Sequence, residues 1–358
     1  MDFDLTDAQQ LIVRSVRRFI REEIWPLEET LDPDAFTLPK DDFERLTQMT
    51  KDMGLHGFPD VDIVTHTLIS IELSQHRAGL YAPAYGVFQS EEEKRGFIGL
   101  SEPSGGSDPA RAIQTRAVRD GDEWVINGRK LWTSSGDTAE FGTVYARTDS
   151  SKGRAGITAF HVPTDTPGYR VERLVQVLRS HYTTEISFTD MRVPHSAIIG
   201  EEGAGFATAN DRLSRYRIPY AAACLGPAIR ANEMAIEWAK QRVTFGEPLA
   251  NRQAIQWMLV DNEMDIRAGR WAALYAASLA DAGKPFRFES AMAKLLCSEG
   301  GGRVVDRSMQ IFGGLGMSKD LPLERWFREM RIRRVGEGPN EVQRVIMARD
   351  ILNVGSHG

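Results

Sequence analysis

The stretch Gly96-Phe97-Ile98-Gly99-Leu100-Ser101-Glu102-Pro103-Ser104-Gly105-Gly106-Ser107-Asp108 marks the point at which the pattern of this chain changes. Before it, apolar residues recur at helical spacing. After it, short apolar runs alternate with turns rich in Gly, Ser and Thr up to about residue 200. From about residue 203 the chain returns to long helices rich in Ala, Met, Arg and Glu. This order predicts an α+β fold in which an antiparallel β domain lies between two helical regions.

Turn signals divide the middle zone into predicted strands. Asp120-Gly121-Asp122 separates one pair of apolar runs. Asn127-Gly128, between Glu123–Ile126 and Arg129–Thr133, is a strong signal for a two-residue hairpin. Further strands are expected at 141–147, 157–162 and 185–188. The pattern favours an antiparallel sheet over a βαβ array.

The helical zones carry their own start and stop signals. Thr6 with Gln9 forms a capping-box pattern, and Trp25-Pro26 is expected to end the first helix. Two more helices are predicted at 43–53 and 61–74. In the last zone one helix face is expected to carry Ile255, Met258, Leu259 and Ile266, and Gly283-Lys284-Pro285 separates that helix from the next.

Composition excludes several classes of protein. The chain has 358 residues, 42% of them hydrophobic, and a formal net charge of -6, so a nucleic-acid partner is not expected. Two cysteines cannot form a disulfide framework and fit a reducing compartment. No apolar run approaches the roughly 18 residues of a spanning helix, and the first residues resemble no signal or transit peptide. We expect a cytoplasmic protein without membrane insertion and without a metal.

Four segments could bind a cofactor, and each has a simpler explanation. Residues 100–108 could bring backbone N–H groups and hydroxyls to a planar ring or phosphate, or form an ordinary loop. Residues 130–136 could cover a flavin face, or hold a core Trp. Residues 242–246 with Gln253 could contact a diphosphate, or end a helix. Residues 310–316 allow close backbone approach, but lack the features of a P-loop or Rossmann motif.

The fifth segment, Gly336-Glu337-Gly338-Pro339-Asn340-Glu341, places a carboxylate between two glycines. Over an apolar pocket Glu337 would have a raised pKa and could remove a proton. A solvated loop acid is the more frequent explanation for a Glu taken alone.

Taken together and in this order, the segments resemble the acyl-CoA dehydrogenase family. The strings that carry the resemblance are LSEPSGGSD, NGRKLWTSS, RVTFG with RQAIQWML, QIFGGLG and EGPNEVQRVIMAR. The resemblance implies an N-terminal helical domain (1–95), a middle antiparallel β domain (96–202) and a C-terminal helical bundle (203–358). It implies bound FAD, an acyl-CoA substrate, a homotetramer or dimer, an electron transfer flavoprotein as partner, and a place in fatty acid metabolism.

The same resemblance assigns roles to individual residues. Glu337 stands at the family's commonest base position, where a Glu removes the α-proton of a thioester while flavin N5 takes the β-hydride to give a trans-2-enoyl-CoA. The positions implied to bind the cofactor are Ile98, Leu100, Ser101, Ser107, Trp132, Thr133, Ser134, Arg242, Thr244, Gln253, Gln310, Gly313, Gly314, Pro339 and Asn340. Those implied to bind substrate are Ser107, Arg217, Gly338 and Arg349.

The chain also departs from the family. Two joins, GFPDVDIV (57–64) and VFQSEEEKRGF (87–97), are short, and we expect residues missing from the sequence rather than a deletion. Gly336 stands where an aromatic residue is frequent, and Pro339-Asn340 stand where other members have Thr-Ser. The segment 214–217 is unusually basic, and its positive charges could bind CoA phosphates or an acidic acyl end, or could simply lie on the surface. The alternatives are an oxidase, a relative with C–S or C–N chemistry, and a flavin-free binding protein. Since the base is present, dehydrogenation is the first expectation.

Overall fold

A computed structural model describes residues 4–35, 38–55, 61–77, 96–178 and 182–353. The chain divides into two compact units. The helical unit comprises residues 1–83 and 214–355, and the β unit comprises residues 84–213 and 356–358. The first and last helical zones thus belong to one unit, while the three domain boundaries stay a prediction. The short join at 87–97 falls almost entirely outside the described residues, as does part of the join at 57–64.

The helical unit is built mainly from long helices with short connections. Its helices are α1 (Asp7–Phe19), α2 (Trp25–Thr30), α3 (Lys40–Asp52), α4 (Ile63–Leu73), α6 (Gly205–Ala222, which begins in the β unit), α7 (Leu225–Gln241), α8 (Gln253–Asp281), α9 (Arg287–Phe312), α10 (Leu323–Arg333) and α11 (Asn340–Ile351). A two-stranded hairpin, β8 (Val243–Thr244) and β9 (Glu247–Pro248), lies between α7 and α8. No helix among the described residues is long and apolar enough to cross a membrane. The cytoplasmic location stays a prediction.

Small residues allow the central helices of this unit to pack closely. The core that α7, α8 and α9 share is dominated by buried alanines, with Trp326 of α10 also fully buried. Gly301 of α9 faces the carbonyl of Cys224, where an added Cβ would come within 2.8 Å of the oxygen. Such a contact cannot form with a larger side chain, so α9 depends on its glycines for its position.

The first helix starts as predicted but does not end where predicted. Thr6 and Gln9 form the expected capping box. Trp25-Pro26 does not end the helical run, because a π-helical segment at Ile20–Ile24 leads directly into α2. Pro26 lies in the first turn of α2, where a missing backbone N–H is tolerated.

The β unit contains a seven-stranded sheet. Its strands are β1 (Gly96–Gly99), β2 (Arg116–Asp120), β3 (Glu123–Ser134), β4 (Phe141–Arg147), β5 (Ile157–Pro163), β6 (Tyr169–Gln176) and β7 (Tyr182–Pro194), and one short helix, α5, spans Pro109–Ala112. The order is β1-β4-β2-β3-β7-β6, with β5 paired to β4. Most pairings are antiparallel, but β1 and β2 pair with β4 in parallel, so the sheet is mixed rather than purely antiparallel.

The predicted hairpin at Asn127-Gly128 is wrong. The strand β3 continues through these residues, and its hairpin with β2 turns instead at Asp120–Glu123. Asn127-Gly128 coincides with a register shift against β7, and the Asn127 side chain bonds Asp190. A Cβ at Gly128 would lie 2.6 Å from the Thr115 Cα. Here the glycine permits close approach of two backbone segments and does not form a turn.

Candidate active site

Two of the predicted cofactor segments lie side by side in the β unit. The Leu131 N–H donates to the Ser101 carbonyl at 3.0 Å, which joins the loop after β1 to the end of β3. At that end a bulge interrupts the pairing with β7, and Trp132 adopts a left-handed backbone with φ 64°. The bulge leaves Trp132 54% exposed. A large aromatic ring presented this way suits contact with another planar ring.

A buried ion pair holds the loop against the strand. The Lys130 ammonium contacts a Glu102 carboxylate oxygen at 2.7 Å and the Tyr145 carbonyl at 2.7 Å, and neither charged side chain is more than 3% exposed. Glu102 also accepts the N–H groups of Gln114 and Thr115. Burial alone would raise the pKa of Glu102, but Lys130 and these N–H donors hold it below its usual range. Burial lowers the pKa of Lys130 to about 8.

The remaining predicted residues of the β unit divide by exposure. Ser107 and Ser134 are exposed, and Ser101 is half-buried, so all three hydroxyls could reach a ligand. Ile98 and Leu100 pack against a small apolar cluster. Thr133 is buried, and its backbone carbonyl accepts a hydrogen bond from the Thr184 hydroxyl.

In the helical unit, Glu337 lies in the loop between α10 and α11 with an unusual backbone. Its φ is 55°, in the left-handed region that a non-glycine residue rarely adopts, and Gly338 follows with φ 86°. No described residue donates a hydrogen bond to its carboxylate. Glu337 as a residue is exposed, yet the protein atoms that surround its carboxyl raise its pKa, against the lowering effect of Arg217, Arg333 and Lys294. Backbone strain around an unpartnered acid is typical of a functional site.

Arg217 of α6 lies beside this loop. It is 5% exposed and donates through Nε to the Glu337 carbonyl at 3.4 Å, while its Nη1 is buried without a partner. Burial lowers the pKa of Arg217, and the Glu337 charge opposes that effect. A buried guanidinium nitrogen without an acceptor is a costly arrangement that an anionic or carbonyl ligand would relieve.

The space next to Glu337 is filled from α6 rather than from the residue before the acid. A Cβ on Gly336 would come within 2.5 Å of the Tyr220 hydroxyl. The Tyr220 ring carries the Arg333 guanidinium over its face at 4.5 Å, and burial raises the pKa of Tyr220. The glycine that replaces an aromatic in the sequence therefore makes room for an aromatic from another helix.

Asn340, which is predicted to bind the cofactor, directs its side chain to α9, and its predicted role stays untested. Asn340 is 2% exposed. Its amide nitrogen donates to Ser298 and Glu299, and its oxygen accepts from Lys294 at 2.7 Å. These bonds to α9 leave the amide no donor for a ligand. Pro339 is the N-cap residue of α11 and is partly exposed.

The other predicted residues of this unit fall into two places. Gly338 is required by its backbone, because an added Cβ would also meet the Gln343 amide at 2.8 Å. Arg349 lies half-buried on α11. The family resemblance implies that six of the cofactor positions reach the cofactor of a neighbouring subunit. These are Arg242, Thr244 and Gln253 at the β8–β9 hairpin and the start of α8, and Gln310, Gly313 and Gly314 at the end of α9.

These last two segments lie close together. The Trp238 ring of α7 stacks on Phe312 with centroids 5.2 Å apart, and the Arg242 guanidinium lies over Trp238 at 5.9 Å. Phe245, at the hairpin tip, is 97% exposed. The structure thus brings the residues predicted to face a neighbour to one region, where Phe245 is almost fully exposed with the Arg252 guanidinium over its ring at 5.8 Å.

Several residues around these sites were not predicted from the sequence. Glu102, Lys130 and Lys294 are charged residues, for which a surface position is the ordinary expectation. Glu102 lies in the segment 100–108 and Lys130 in the segment 130–136, so their place in these two motifs was the only sequence signal of a role at the site. Tyr220 and Lys294 lie on helices far from Glu337 in sequence, and nothing local indicated their position.

Comparison with known proteins identifies the family. The C-terminal domain of acyl-CoA dehydrogenases matches residues 203–352, and their middle domain matches residues 98–191. Acryloyl-CoA reductase (NADH) of Anaerotignum propionicum is 34% identical over 385 aligned positions, covering 98% of this chain and 96% of the relative. A short-chain specific acyl-CoA dehydrogenase of Clostridium acetobutylicum is 33% identical, covering 98% and 100%. The chain belongs to the acyl-CoA dehydrogenase family.

Solved structures agree. The chain superposes on butyryl-CoA dehydrogenase from Megasphaera elsdenii with a TM-score of 0.86 and 33% identity, covering 98% of this chain and 100% of that one. The predicted family, α+β fold and enzyme class are therefore confirmed. The alignments exceed the 358 residues of the chain, so the relatives contain residues that it lacks, consistent with its short joins.

Acyl-CoA dehydrogenases are FAD enzymes, which confirms the predicted cofactor. The β unit fits such a group. Trp132 exposes an aromatic ring next to the hydroxyls of the 101–107 loop, which suits a ring system with polar edges. The individual contacts stay a prediction.

Proposed function

We propose that this protein removes two hydrogens from the α and β carbons of an acyl-CoA thioester, with Glu337 as the base. The observation that carries the proposal is the state of Glu337: a carboxylate without a hydrogen-bond donor among the described residues, on a left-handed backbone, with a raised pKa. An acid with only a structural role would be ion-paired or would lie on a relaxed backbone.

The chemistry assigned to this chain is proton transfer and charge stabilisation. Glu337 takes the α-proton, and its raised pKa makes the carboxylate a stronger base than an ordinary Glu. The thioester oxygen gains charge as the proton leaves, and a backbone N–H at Glu337 would stabilise it. Bound FAD would supply the acceptor for the β-hydride, and the product would be a trans-2-enoyl-CoA.

We assign cofactor contacts in the β unit to the 101–107 loop and to Trp132 and Ser134. Their support is the bond between Leu131 and Ser101, which aligns the two segments, and the exposure of Trp132. Arg217 and Gly338 are the proposed substrate contacts beside Glu337, and the unpartnered Nη1 of Arg217 supports that role. Arg349 is carried over as a substrate contact from the resemblance alone.

We further propose a homotetramer, or a dimer, in which residues from one copy complete the cofactor site of another. Supporting this, α8 exposes an apolar stripe made of Trp257, Val260, Met264, Trp271 and Tyr275, each 47–64% exposed. Monomeric proteins rarely leave such a stripe uncovered. The bare Phe245 beside Arg242 supports the assignment of that region to a neighbour. An electron transfer flavoprotein is the proposed acceptor of the electrons.

The test is anaerobic reduction of the purified holoenzyme by butyryl-CoA, followed through bleaching of the flavin absorbance. Glu337→Gln should keep FAD and bind butyryl-CoA but lose at least about 100-fold in the bleaching rate. Glu341→Gln, which removes an exposed acid from the same segment, is the matched control and should bleach normally.

Other outcomes would point to the alternatives. Near-normal bleaching by Glu337→Gln would overturn its assignment as the base. Rapid O₂ consumption with butyryl-CoA would favour an oxidase, and a colourless protein that fails to bind added FAD would favour a flavin-free binding protein.

A further inference from the structure

The α9 helix contains a completely buried cation close to the Glu337 loop. Lys294 is 0% exposed. Its ammonium donates to the Asn340 side-chain oxygen at 2.7 Å and to the Arg334 carbonyl at 3.2 Å. Within the described part of the chain, no carboxylate lies within ion-pair distance of it. A buried charge without a counter-ion is expensive, so its presence calls for an explanation other than stability.

The two acceptors of Lys294 flank the acid in sequence. Arg334 lies three residues before Glu337 and Asn340 lies three residues after it, so one ammonium binds both ends of the loop. The Asn340 N–H also donates to the Arg334 carbonyl at 3.0 Å, which closes the loop on itself. Ser298 and Glu299, one turn further along α9, hold the Asn340 amide.

We propose that Lys294 is a positioning residue for Glu337, which fixes both ends of the loop that carries the base and supplies a positive charge to its surroundings. The proposal rests on the function proposed for Glu337. Glu337 occupies a backbone conformation that a free loop would leave, because the left-handed region is unfavourable for a residue with a Cβ. The ammonium gives the loop a rigid support on a long helix, as a precisely placed base requires.

The charges around Glu337 come from three helices. Arg217 and Tyr220 face it from α6, Lys294 from α9 and Arg333 from α10. The three cations lower the pKa of Glu337, in opposition to the surrounding protein atoms that raise it. Lys294 in turn is surrounded by Cys224, Arg217, Glu337 and Glu341, and burial lowers its pKa to about 8. It is therefore charged at neutral and acidic pH, where Glu337 titrates.

Two substitutions separate the hydrogen bonds from the charge. Lys294→Gln keeps a donor group but removes the charge, whereas Lys294→Met fills the space and removes both. In the holoenzyme with butyryl-CoA, Lys294→Met should bleach the flavin about 10- to 100-fold more slowly at saturation, as expected for a displaced base. Lys294→Gln should lose less. In both variants the acidic limb of the bleaching rate should move to higher pH, because Glu337 loses a neighbouring cation.

Lys240→Met is the control, since Lys240 is an exposed lysine of the same unit paired with Glu237. It should leave rate and pH profile unchanged. If both Lys294 variants retain the wild-type acidic limb and rate while differing only in thermal stability, Lys294 has a structural role and the proposal is wrong. If instead the wild-type holoenzyme is not bleached by butyryl-CoA, or Glu337→Gln is as active as wild type, the proposed function itself fails.

Discussion

Replacement of Lys130 by Met should destabilise the β unit more than the loss of a charge at its surface. The Lys130 ammonium pairs with Glu102 at 2.7 Å, and the two side chains are 0% and 3% exposed. After the substitution the Glu102 carboxylate would stay buried with only the N–H groups of Gln114 and Thr115 as donors. Removing one partner of a buried pair costs about 3–5 kcal/mol.

That loss is large against the ~5–15 kcal/mol by which folded domains are stable. Arg192→Met is the matched control. Arg192 pairs with Asp120 at 2.9 Å and Glu123 at 3.0 Å, but all three side chains are about half exposed, so its loss should cost less than about 1 kcal/mol. The double variant Lys130→Met/Glu102→Gln should recover part of the loss, because no uncompensated charge remains buried.

Urea unfolding of the holoenzyme measures both stability and FAD retention. Far-UV circular dichroism follows the loss of structure, and the fluorescence of released flavin follows the loss of FAD. We expect Lys130→Met to release FAD at a lower urea concentration than wild type or Arg192→Met. The pair also sets a pH dependence. Because the pKa of Glu102 is held below its ordinary 4.5, its contribution is full above that pH and is lost as pH falls through the folded value. Equal unfolding midpoints for Lys130→Met and Arg192→Met would refute this reasoning.

Three further predictions concern the helical unit. Gly336→Ala should slow flavin bleaching by butyryl-CoA, because its Cβ would meet the Tyr220 hydroxyl at 2.5 Å, and the added Tyr220→Phe should restore part of the rate. Failure of the double variant to recover would argue against that contact. Trp257→Glu should reduce the molar mass measured by light scattering, because it places a charge in the exposed stripe of α8, and an unchanged mass would exclude this stripe as an interface. In wild type, the bleaching rate should fall on the acidic side with an apparent pKa above 4.5, since the protein atoms around the carboxyl raise the pKa of Glu337, and an apparent value at or below 4.5 would contradict this.

The features that the sequence predicted well are those set by local chemistry. The capping box at Thr6 and Gln9 satisfies backbone donors within one turn, and the strands at 141–147 and 157–162 follow from their own apolar residues. The mixed character of the sheet was not accessible, because pairing of β1 with β4 joins residues about 45 positions apart and leaves no local trace.

The errors occurred where distant contacts override a local signal. Gly128 was interpreted as a turn glycine, but its role is to let Thr115 approach. The cofactor role predicted for Asn340 stays untested, but the contacts of its amide with three residues of α9 had no signal in the local sequence either. Lys130 and Lys294 show the same limit from the other side, because nothing local to a lysine indicates that a folded chain will surround it with acceptors.

The left-handed backbone at Glu337 has a consequence for how easily this activity can be lost during evolution. A glycine there would relieve about 1–2 kcal/mol of strain, so drift away from the acid is favoured by folding and opposed only by selection for the reaction. With Glu337 as the proposed base, a well-folded descendant without dehydrogenase activity lies a single substitution away. In descendants of this chain, the residue at position 337 would then be a better record of whether the reaction is still under selection than the persistence of the fold.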